Sequence, residues 1–295
     1  MSRAAGIPAA HPAAVWQCGA SRFDLTARAL VMGVLNLTPD SFSDGGRFLD
    51  PAAALAHGRT LIEEGADLVD VGAESTRPGS DPVTPGEQWE RLAPVIAPLA
   101  LLPGACVSVD TASAWVAERA LAAGARVVND VSGLRDPAMA GVAARAGAGL
   151  VLMHMRGEPR TMQAEPHYDD VEADVTDFLL ERARAAEAAG IPRAAIALDP
   201  GIGFGKTPDQ NLELLRRLDE LGTLGRPVLV GVSRKSTLGR IVGDASATAG
   251  TLAGSLAAAV AAFERGASMI RAHDVRETVE ALAVAHAVER GRITA

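Results

Sequence analysis

Eight times along this chain, a short apolar run ends in a polar residue or a glycine-bearing loop, and a helical segment follows it. The runs are 29–35, 68–71, 105–109, 126–128, 150–153, 196–198, 227–232 and 268–270. Four of the runs follow a Gly-Ala pair, at Gly65, Gly124, Gly147 and Gly266, where glycine commonly ends a helix. Because apolar runs and helical segments alternate, the pattern predicts an α/β fold built around a parallel sheet.

Capping signals mark where several helices should begin. Asp50 stands directly before Pro51, which is a cap followed by a first-turn proline. The segments Thr84–Glu87 and Thr207–Gln210 both show the capping-box pattern with proline at the first helical position. Helical spacing predicts two apolar faces, one of Val171, Val175, Phe178 and Leu179 and one of Leu212, Leu215 and Leu218.

Eight such units in 295 residues predict a (β/α)8 TIM barrel. The alternative is a doubly wound open sheet, which would ordinarily have fewer strands and a dinucleotide or phosphate fingerprint. The segment Val15–Phe23 predicts a short N-terminal β-hairpin that covers one end of the domain. We expect residues 1–14, which are rich in alanine and proline, to form a disordered tail, and residues 15–295 to form a single domain.

The charge balance argues against several classes of partner. The chain carries 28 basic and 36 acidic residues, a net charge of −8, which disfavours nucleic acid and membrane surfaces. Two cysteines cannot make a disulfide framework, and no apolar leader is visible, so a cytoplasmic protein is expected. An anionic small ligand stays compatible with this charge, because binding one requires only a few local cations.

The segment Ala194–Lys206 is an apolar run that delivers Asp199 into a glycine-rich loop. The letters Gly-Lys-Thr at its end resemble a phosphate-binding P-loop, but a P-loop needs glycine where Pro200 stands. The glycines of the loop also fail the dinucleotide-binding spacing. The loop is therefore interpreted as one that presents a polar anchor to a small ligand.

In a barrel all strand ends meet at one mouth, so the polar ends of the runs should surround a single site. Asp110, Asn129 and Asp199 offer carboxylate and amide groups that suit a flat heterocycle with N–H donors and a carbonyl. A single aspartate of this kind is more often a cap or a structural hydrogen-bond partner. Convergence of the three at one mouth is what favours a ligand.

Cations at the same mouth predict an anion site. Lys235, Arg271 and His273, together with Asn36, are suited to hold a phosphate or pyrophosphate. His273 alone is as compatible with a core position as with a ligand contact. No pair of histidines or cysteines has zinc spacing, whereas Mg²⁺ held mostly by a diphosphate and one side-chain oxygen is compatible with the sequence.

The loops after the first two strands, Asn36–Gly46 and Glu74–Gly79, are rich in glycine and polar residues. Their position favours substrate lids, and solvated connections are the alternative.

Six stretches resemble dihydropteroate synthase and occur in that family's order. They are Met32–Gly46, Glu74–Gly79, Leu152–Met155, Asp199–Lys206, Ser233–Ser236 and Arg271–Val275. The likeness runs from about Trp16 to the C-terminus. It implies a (β/α)8 fold, a role in folate biosynthesis, Mg²⁺ as cofactor, a homodimer, and sulfonamides that compete with the second substrate. The departures are mild, because none of Leu37, Ala73 and Ala272 removes a polar group.

The resemblance also implies a role for each site residue. The pterin ring would be held by Asp110, Asn129, Asp199 and Lys235, with Met153 and Phe204 near its faces. The diphosphate would be bound by Arg271, His273 and Asn36, with Asn36 also on Mg²⁺. The p-aminobenzoate site would consist of Phe42, Thr76, Arg77, Pro78 and Ser233. The candidate catalytic residues are Asp110, Asp199, Lys235 and Arg271.

The implied reaction joins p-aminobenzoate to 6-hydroxymethyl-7,8-dihydropterin diphosphate and releases 7,8-dihydropteroate and pyrophosphate. The aniline amine is already nucleophilic, so no activated serine or cysteine is required, and the diphosphate would bind first and order the two loops. Two alternatives remain at this point. A pterin-binding corrinoid methyltransferase module would share Asp110, Asn129 and Asp199 but not the two loops. A non-catalytic paralogue should have lost diphosphate or aminobenzoate residues.

Overall fold

The computed structural model describes residues 13–38, 50–75, 79–163, 166–244 and 249–292. Within them, a two-stranded antiparallel sheet precedes an eight-stranded parallel sheet. The antiparallel strands are β1 (Val15–Cys18) and β2 (Ser21–Asp24). The parallel strands are β3 (Leu30–Asn36), β4 (Leu68–Gly72), β5 (Val107–Asp110), β6 (Val127–Asp130), β7 (Gly149–Met153), β8 (Ile196–Asp199), β9 (Leu229–Gly231) and β10 (Met269–Ala272).

The parallel sheet closes on itself. Its strands lie in the order β8-β7-β6-β5-β4-β3-β10-β9, so β8 and β9 are the two ends of the sheet. These ends meet through a parallel bridge between Leu198 and Val228, and the Leu198 N–H donates to the Pro227 carbonyl at 2.9 Å. The predicted TIM barrel is therefore confirmed, and the open-sheet alternative is wrong.

Helices connect the strands and cover the outside of the barrel. They are α1 (Pro51–Glu63), α2 (Pro85–Ala100), α3 (Ala114–Ala122), α4 (Met139–Ala146), α5 (Val171–Ala188), α6 (Pro208–Arg216), α7 (Leu218–Gly222), α8 (Ser236–Ile241), α9 (Leu252–Phe263) and α10 (Val275–Arg290). A short 3-10 turn, Arg193–Ala195, leads into β8. The apolar outer faces of the strands pack against the helices in one continuous core.

The predicted helix boundaries hold because their local chemistry is satisfied. The Asp50 side chain accepts the Ala52 N–H, and Thr84 and Thr207 each form a complete capping box. The four Gly-Ala glycines all have positive φ, from 62° to 112°, as a helix stop requires: Gly65, Gly124, Gly147 and Gly266.

One predicted helix face is only partly right. Leu218 is buried and Leu215 packs half-buried against the core, as predicted, but Leu212 is 40% exposed, and Leu214 and Leu221 are buried instead. The reason is a break in the helix: α6 ends at Arg216, and α7 begins at Leu218, so one 3.6-residue period does not run through both. The face predicted for α5 is confirmed, since Val171, Val175 and Leu179 are buried.

The hairpin closes the amino end of the barrel, as predicted. Trp16 is fully buried, and its indole N–H donates to the Ala195 carbonyl at 3.1 Å. Cys18, which is a free thiol, packs beside it on the inner side chains of the barrel. This plug consists of Trp16, Cys18, Leu25, Leu30, Met32, Leu68, Cys106, Val127, Val151, Ala197, Leu229 and Met269. Because the plug fills the amino end, the carboxyl end is left for polar side chains.

Candidate active site

Strand register brings the first polar group together. Asn36, Gly72, Asp110 and Asn129 are successive Cα partners across β3, β4, β5 and β6. Side chains of a strand alternate between faces, and the outer core takes Val107 and Val109 of β5, so Asp110 faces the barrel interior. Asn36, Asp110 and Asn129 therefore stand near the carboxyl ends of their strands, at the same mouth.

Arg271 lies between two carboxylates in the barrel interior. Its Nε donates to Asp70 Oδ2 at 2.7 Å, and its Nη2 donates to Asp110 Oδ2 at 3.0 Å. Burial works to lower the pKa of Arg271, but the charges of Asp70 and Asp110 outweigh it, and the net direction is upward. The guanidinium carries five N–H donors in total, so these two bonds leave further donors for an anion.

Asp110 sits in a crowded carboxylate environment. Burial raises its pKa to about 7, the charge of Asp70 adds to the rise, and Arg271 opposes it. The charges of Glu74 and Asp130 raise the pKa of Asp110 further, by smaller amounts. A group with this pKa can exchange a proton near neutrality, which is typical of a functional site.

A second group assembles around Asp199 and Lys235. Burial raises the pKa of Asp199, and the Lys235 charge opposes that rise. Burial also lowers the pKa of Lys235 to about 8, against the attraction of Asp199. The Lys235 ammonium lies 4.4 Å from the centre of the Phe204 ring and donates to the Ile202 carbonyl.

The two groups share one cavity wall at β9. A Cβ placed on Gly231 would lie 3.8 Å from Arg271 Cβ and 3.9 Å from Lys235 Nζ. The charge of Arg271 also acts on Asp199 and on Lys235. Asp110, Arg271, Lys235 and Asp199 therefore form one continuous polar wall.

The loop after β8 is held by Lys206, which is fully buried. Its Nζ contacts the carbonyl oxygens of Gly201 at 3.0 Å and Phe204 at 3.1 Å, and it contacts His154 Nδ1 at 2.9 Å. Burial lowers the pKa of Lys206 well below its usual value and the pKa of His154 to about 3. The His154 ring is therefore held against Lys206, and His154 serves the loop and not a ligand.

Glycine is required where this loop crosses β7. A Cβ on Gly201 would lie 1.9 Å from the His154 carbonyl oxygen, and the φ of Gly201 is +68°. Because residue 201 is glycine, the loop can pack directly against the end of β7. Lys206 is then close enough to contact both the loop carbonyls and His154. Met153 and Phe204 then share one apolar cluster with Val131, Met155 and Met162.

Ser233 and His273 meet at the next part of the mouth. The Ser233 hydroxyl accepts the backbone N–H of His273 at 3.1 Å and lies 3.1 Å from His273 Nδ1. The neighbouring residue Arg234 has a φ of +58°, a strained conformation for a residue with a side chain, and its N–H donates to Ser255 Oγ at 2.9 Å. This turn directs Ser233 inward and Arg234 outward to Asp274.

Asn36 and Asp110 border a gap that could take a small cation. A Cβ on Gly72 would lie 3.7 Å from Asn36 Oδ1 and 3.6 Å from Asp110 Oδ2, so both oxygens face the same space. Such oxygen donors fit Mg²⁺. Among the described residues, no group of three or more His, Cys, Asp or Glu side chains forms a complete metal cage.

The structure thus brings most of the predicted site residues together. The residues that meet at the mouth are Asn36, Asp110, Asn129, Met153, Asp199, Phe204, Ser233, Lys235, Arg271 and His273. Phe42, Thr76, Arg77 and Pro78 lie outside the described residues, as do most of the two predicted lid loops.

Two buried polar residues of the site escape sequence analysis, Asp70 and Lys206. The run 68–71 has an apolar pattern apart from Asp70, and a charge inside a buried strand is a signal in itself. Lys206 lies at the end of the predicted loop and of a family-like stretch, but no role is predicted for its side chain. Only two of the 28 basic residues in the chain are lysines, Lys206 and Lys235. This rarity is a sequence signal that could have identified both as candidate functional residues.

The fold and this site define a pterin-binding barrel. Residues 32–273 match the family described as "Pterin binding enzyme". A dihydropteroate synthase of Neisseria meningitidis serogroup B is 47% identical over 277 residues, covering 92% of this chain and 96% of the relative. The chain belongs to the dihydropteroate synthase family, whose members are transferases of folate biosynthesis.

Solved structures agree with this assignment. The Xanthomonas albilineans dihydropteroate synthase with 4-aminobenzoic acid is 45% identical, with a TM-score of 0.85, and covers 94% of this chain and 98% of its own. The Yersinia pestis dihydropteroate synthase in a sulfonamide drug complex is 40% identical, with a TM-score of 0.86 and coverages of 94% and 99%. The Xanthomonas enzyme in complex with 7,8-dihydropteroate is 43% identical, with a TM-score of 0.81 and coverages of 93% and 98%.

Across the described residues, no helix combines the length and the apolar content needed to cross a bilayer.

Proposed function

We propose that this enzyme condenses 6-hydroxymethyl-7,8-dihydropterin diphosphate with p-aminobenzoate to give 7,8-dihydropteroate and pyrophosphate. The observation that carries the proposal is the polar wall of Asp110, Arg271, Lys235 and Asp199 at the open end of a barrel. The relatives support it, since the Xanthomonas albilineans enzyme has been solved with 4-aminobenzoic acid and with 7,8-dihydropteroate. They favour a synthase over a corrinoid methyltransferase module or a non-catalytic paralogue, because named synthases match nearly the whole chain.

The ring would lie against the polar wall. Asp110 and Asp199 accept hydrogen bonds from ring and amino N–H groups, and the Asn129 amide oxygen, which has no other partner among the described residues, accepts another. Lys235 donates to the ring carbonyl. Met153 and Phe204, which share an apolar cluster, pack on the faces of the ring. An analogue that lacks these edges would leave buried polar groups unpaired, so binding is selective.

The bond that breaks joins the pterin methylene to the diphosphate oxygen. The electron-rich ring carries the positive charge left on the methylene, and the nearby carboxylates stabilise it. Arg271, His273 and Asn36 would receive the diphosphate, because the guanidinium keeps N–H donors beyond those it gives to Asp70 and Asp110. The p-aminobenzoate amine then attacks the methylene and loses one proton.

Mg²⁺ is proposed as the cofactor. Asn36 would hold it, since Asn36 Oδ1 and Asp110 Oδ2 border the gap above Gly72. The diphosphate would provide most of its ligands, because the described residues offer no complete cage. Its chemistry when bound is the neutralisation of charge on the leaving group.

A homodimer in the cytoplasm, inhibited by sulfonamides, completes the proposal. Exposed apolar side chains on adjacent helices support the dimer: Leu252 of α9 is 44% exposed, and Val284 and Val288 of α10 are 66% and 75% exposed. A sulfonamide complex of the Yersinia relative supports the inhibition. Phe42, Thr76, Arg77, Pro78 and Ser233 would form the site that sulfonamides and p-aminobenzoate share.

Pyrophosphate release tests the proposal. We expect release from the purified chain only when both substrates and Mg²⁺ are present, with 7,8-dihydropteroate formed in equal amount. Release without p-aminobenzoate, or no release with all components, would contradict the proposed reaction. If the rate were unchanged when Mg²⁺ is omitted, the proposed cofactor would be contradicted, but the proposed reaction would stand.

A further inference from the structure

We propose that Asp70 is a positioning residue of the pterin site, which orients the Asn129 amide and the Arg271 guanidinium by direct hydrogen bonds. The identity of the ligand rests on the proposed function, but the hydrogen bonds that carry the inference do not. The role assigned to Asp70 is exerted through these two side chains.

Asp70 lies on the interior face of the barrel, within hydrogen-bond distance of two site residues. It stands two residues before Gly72 on β4, and Gly72 is the Cα partner of Asp110 on β5. The Asp70 side chain is fully buried. Its Oδ2 accepts two bonds, from Arg271 Nε at 2.7 Å and from Asn129 Nδ2 at 3.0 Å. One carboxylate oxygen thus connects β4 to a ligand-facing residue of β6 and another of β10.

The contact with Asn129 selects one of two amide orientations. A carboxylate only accepts hydrogen bonds, so the amide nitrogen must face Asp70. Asn129 Oδ1 then points away from Asp70, and it is buried without a partner among the described residues. This leaves an acceptor for an N–H group of a bound ring. Without Asp70, the Asn129 Nδ2 group would lose its hydrogen-bond acceptor, and this orientation of the amide would no longer be favoured.

The contact with Arg271 fixes the guanidinium by two bonds instead of one. Asp70 binds Nε, and Asp110 binds Nη2, so the planar group is held from two neighbouring strands. If Asp70 were absent, Arg271 would be held by Asp110 alone. Asp110 is itself a proposed ring contact. If Arg271 formed additional hydrogen bonds to Asp110, it would compete with the ring for the same carboxylate oxygens.

Stability does not account for Asp70. A buried carboxylate is costly, and a pair optimised for stability would satisfy every oxygen. Asp70 Oδ1 is buried and has no partner within the described parts of the chain. The retained charge is therefore better explained by what it orients than by what it contributes to folding.

The test compares Asp70→Ala with Asp70→Asn. An asparagine can place its oxygen where Oδ2 lies and its NH2 where the unpartnered Oδ1 lies, so both orienting bonds survive. Asp70→Ala removes both bonds. Asp67→Asn is the matched control: Asp67 directly precedes the same strand at its other end, where it accepts from Arg28 Nη1 at 2.7 Å and from the Val31 N–H at 2.9 Å.

In Asp70→Ala we expect KM for the pterin diphosphate to rise at least about tenfold, as the loss of two buried hydrogen bonds predicts. Its dissociation constant, measured by calorimetry, should rise in parallel, while KM for p-aminobenzoate should change less than about twofold. Asp70→Asn should stay within about fivefold of the unmodified enzyme. Asp67→Asn should lower the thermal midpoint and leave both KM values unchanged. If Asp70→Ala fails to fold, Asp70→Leu keeps the same branched side-chain shape without hydrogen-bond acceptors, and it should raise KM for the pterin diphosphate but not KM for p-aminobenzoate.

Equal increases of both KM values, or unchanged KM values in the folded Asp70→Ala or Asp70→Leu variant, would overturn the positioning role. An Asp70→Asn variant as impaired as Asp70→Ala would also overturn it, because the orienting bonds would then not be what matters. Lack of turnover by the unmodified enzyme is a different result, which refutes the proposed function and not the role of Asp70.

Discussion

The two ends of this barrel are built from the same eight strands but from opposite chemistry. At the amino end, Trp16 and the hairpin seal an apolar plug that includes Met32 and Met269. At the carboxyl end, the same strands present Asn36 and Arg271 to an open mouth. Moving along β3 or β10 by a few residues therefore changes the surroundings from a packed core to a charged cavity.

The contrast shows how stability and function are divided in space. The amino end satisfies its groups internally, as in the bond from the Trp16 indole to the Ala195 carbonyl. The carboxyl end keeps Asp110 with a pKa near 7 and Lys235 with a pKa near 8, both displaced by burial. Substitutions at the plug should therefore change the free energy of unfolding, and substitutions at the mouth should change catalysis.

The largest expected effect breaks the plug. Trp16→Ala should lower the free energy of unfolding by about 3–5 kcal/mol, because it removes a fully buried indole and leaves a cavity. The folded fraction should keep its kcat/KM. Denaturant unfolding and steady-state kinetics measure the two effects. Trp115→Ala is the control, since Trp115 is 42% exposed on α3, and it should cost far less stability.

The next largest effect is expected for the loop after β8, which carries Phe204 to the mouth. Lys206→Met should lower the free energy of unfolding by about 1–3 kcal/mol, because the carbonyls of Gly201 and Phe204 lose their donor. It should also raise KM for the pterin diphosphate, since the loop carries Phe204.

The control for Lys206 is Arg226→Met. Arg226 is equally buried and donates to the Leu224 carbonyl, but it precedes β9 at the amino end. It should lose stability without a change in KM. If both variants changed KM alike, the division between the two ends would not hold.

A purely catalytic effect is expected at the polar wall. Lys235→Ala and Asp199→Asn should each reduce kcat/KM at least tenfold, about 1.4 kcal/mol of transition-state stabilisation, and leave the fold intact. Circular dichroism and steady-state kinetics check both points. Turnover at the unmodified rate in either variant would remove that residue from the site.

The smallest effect is a pH dependence. Below about pH 8 Lys235 is an ammonium that feels the charge of Asp199 and can donate to a ring carbonyl, and above that pH it loses its proton. The kcat/KM for the pterin substrate should therefore fall as the pH rises through about 8. In Lys235→Arg the guanidinium stays charged, so this fall should disappear even if the rate is lower. An unchanged profile in Lys235→Arg would assign the fall to another group.

The barrel and much of the mouth could be predicted from the sequence, because both depend on local signals. Apolar runs with polar ends mark strands, and the Gly-Ala pairs mark helix ends, whatever the rest of the chain does. No role was predicted for Asp70, because an aspartate in a buried strand indicates that a partner exists but not that the partner is Arg271, 201 residues later. The helix break before Leu218 was likewise invisible, because no proline or glycine marks it.

A crystal structure of the enzyme with the pterin diphosphate tests the central claim most directly. The account predicts a ring edge within hydrogen-bond distance, about 2.7–3.2 Å, of Asp110, Asn129, Asp199 and Lys235, with the diphosphate beside Arg271. A ring bound elsewhere, or one whose edge faces none of these side chains, would contradict it.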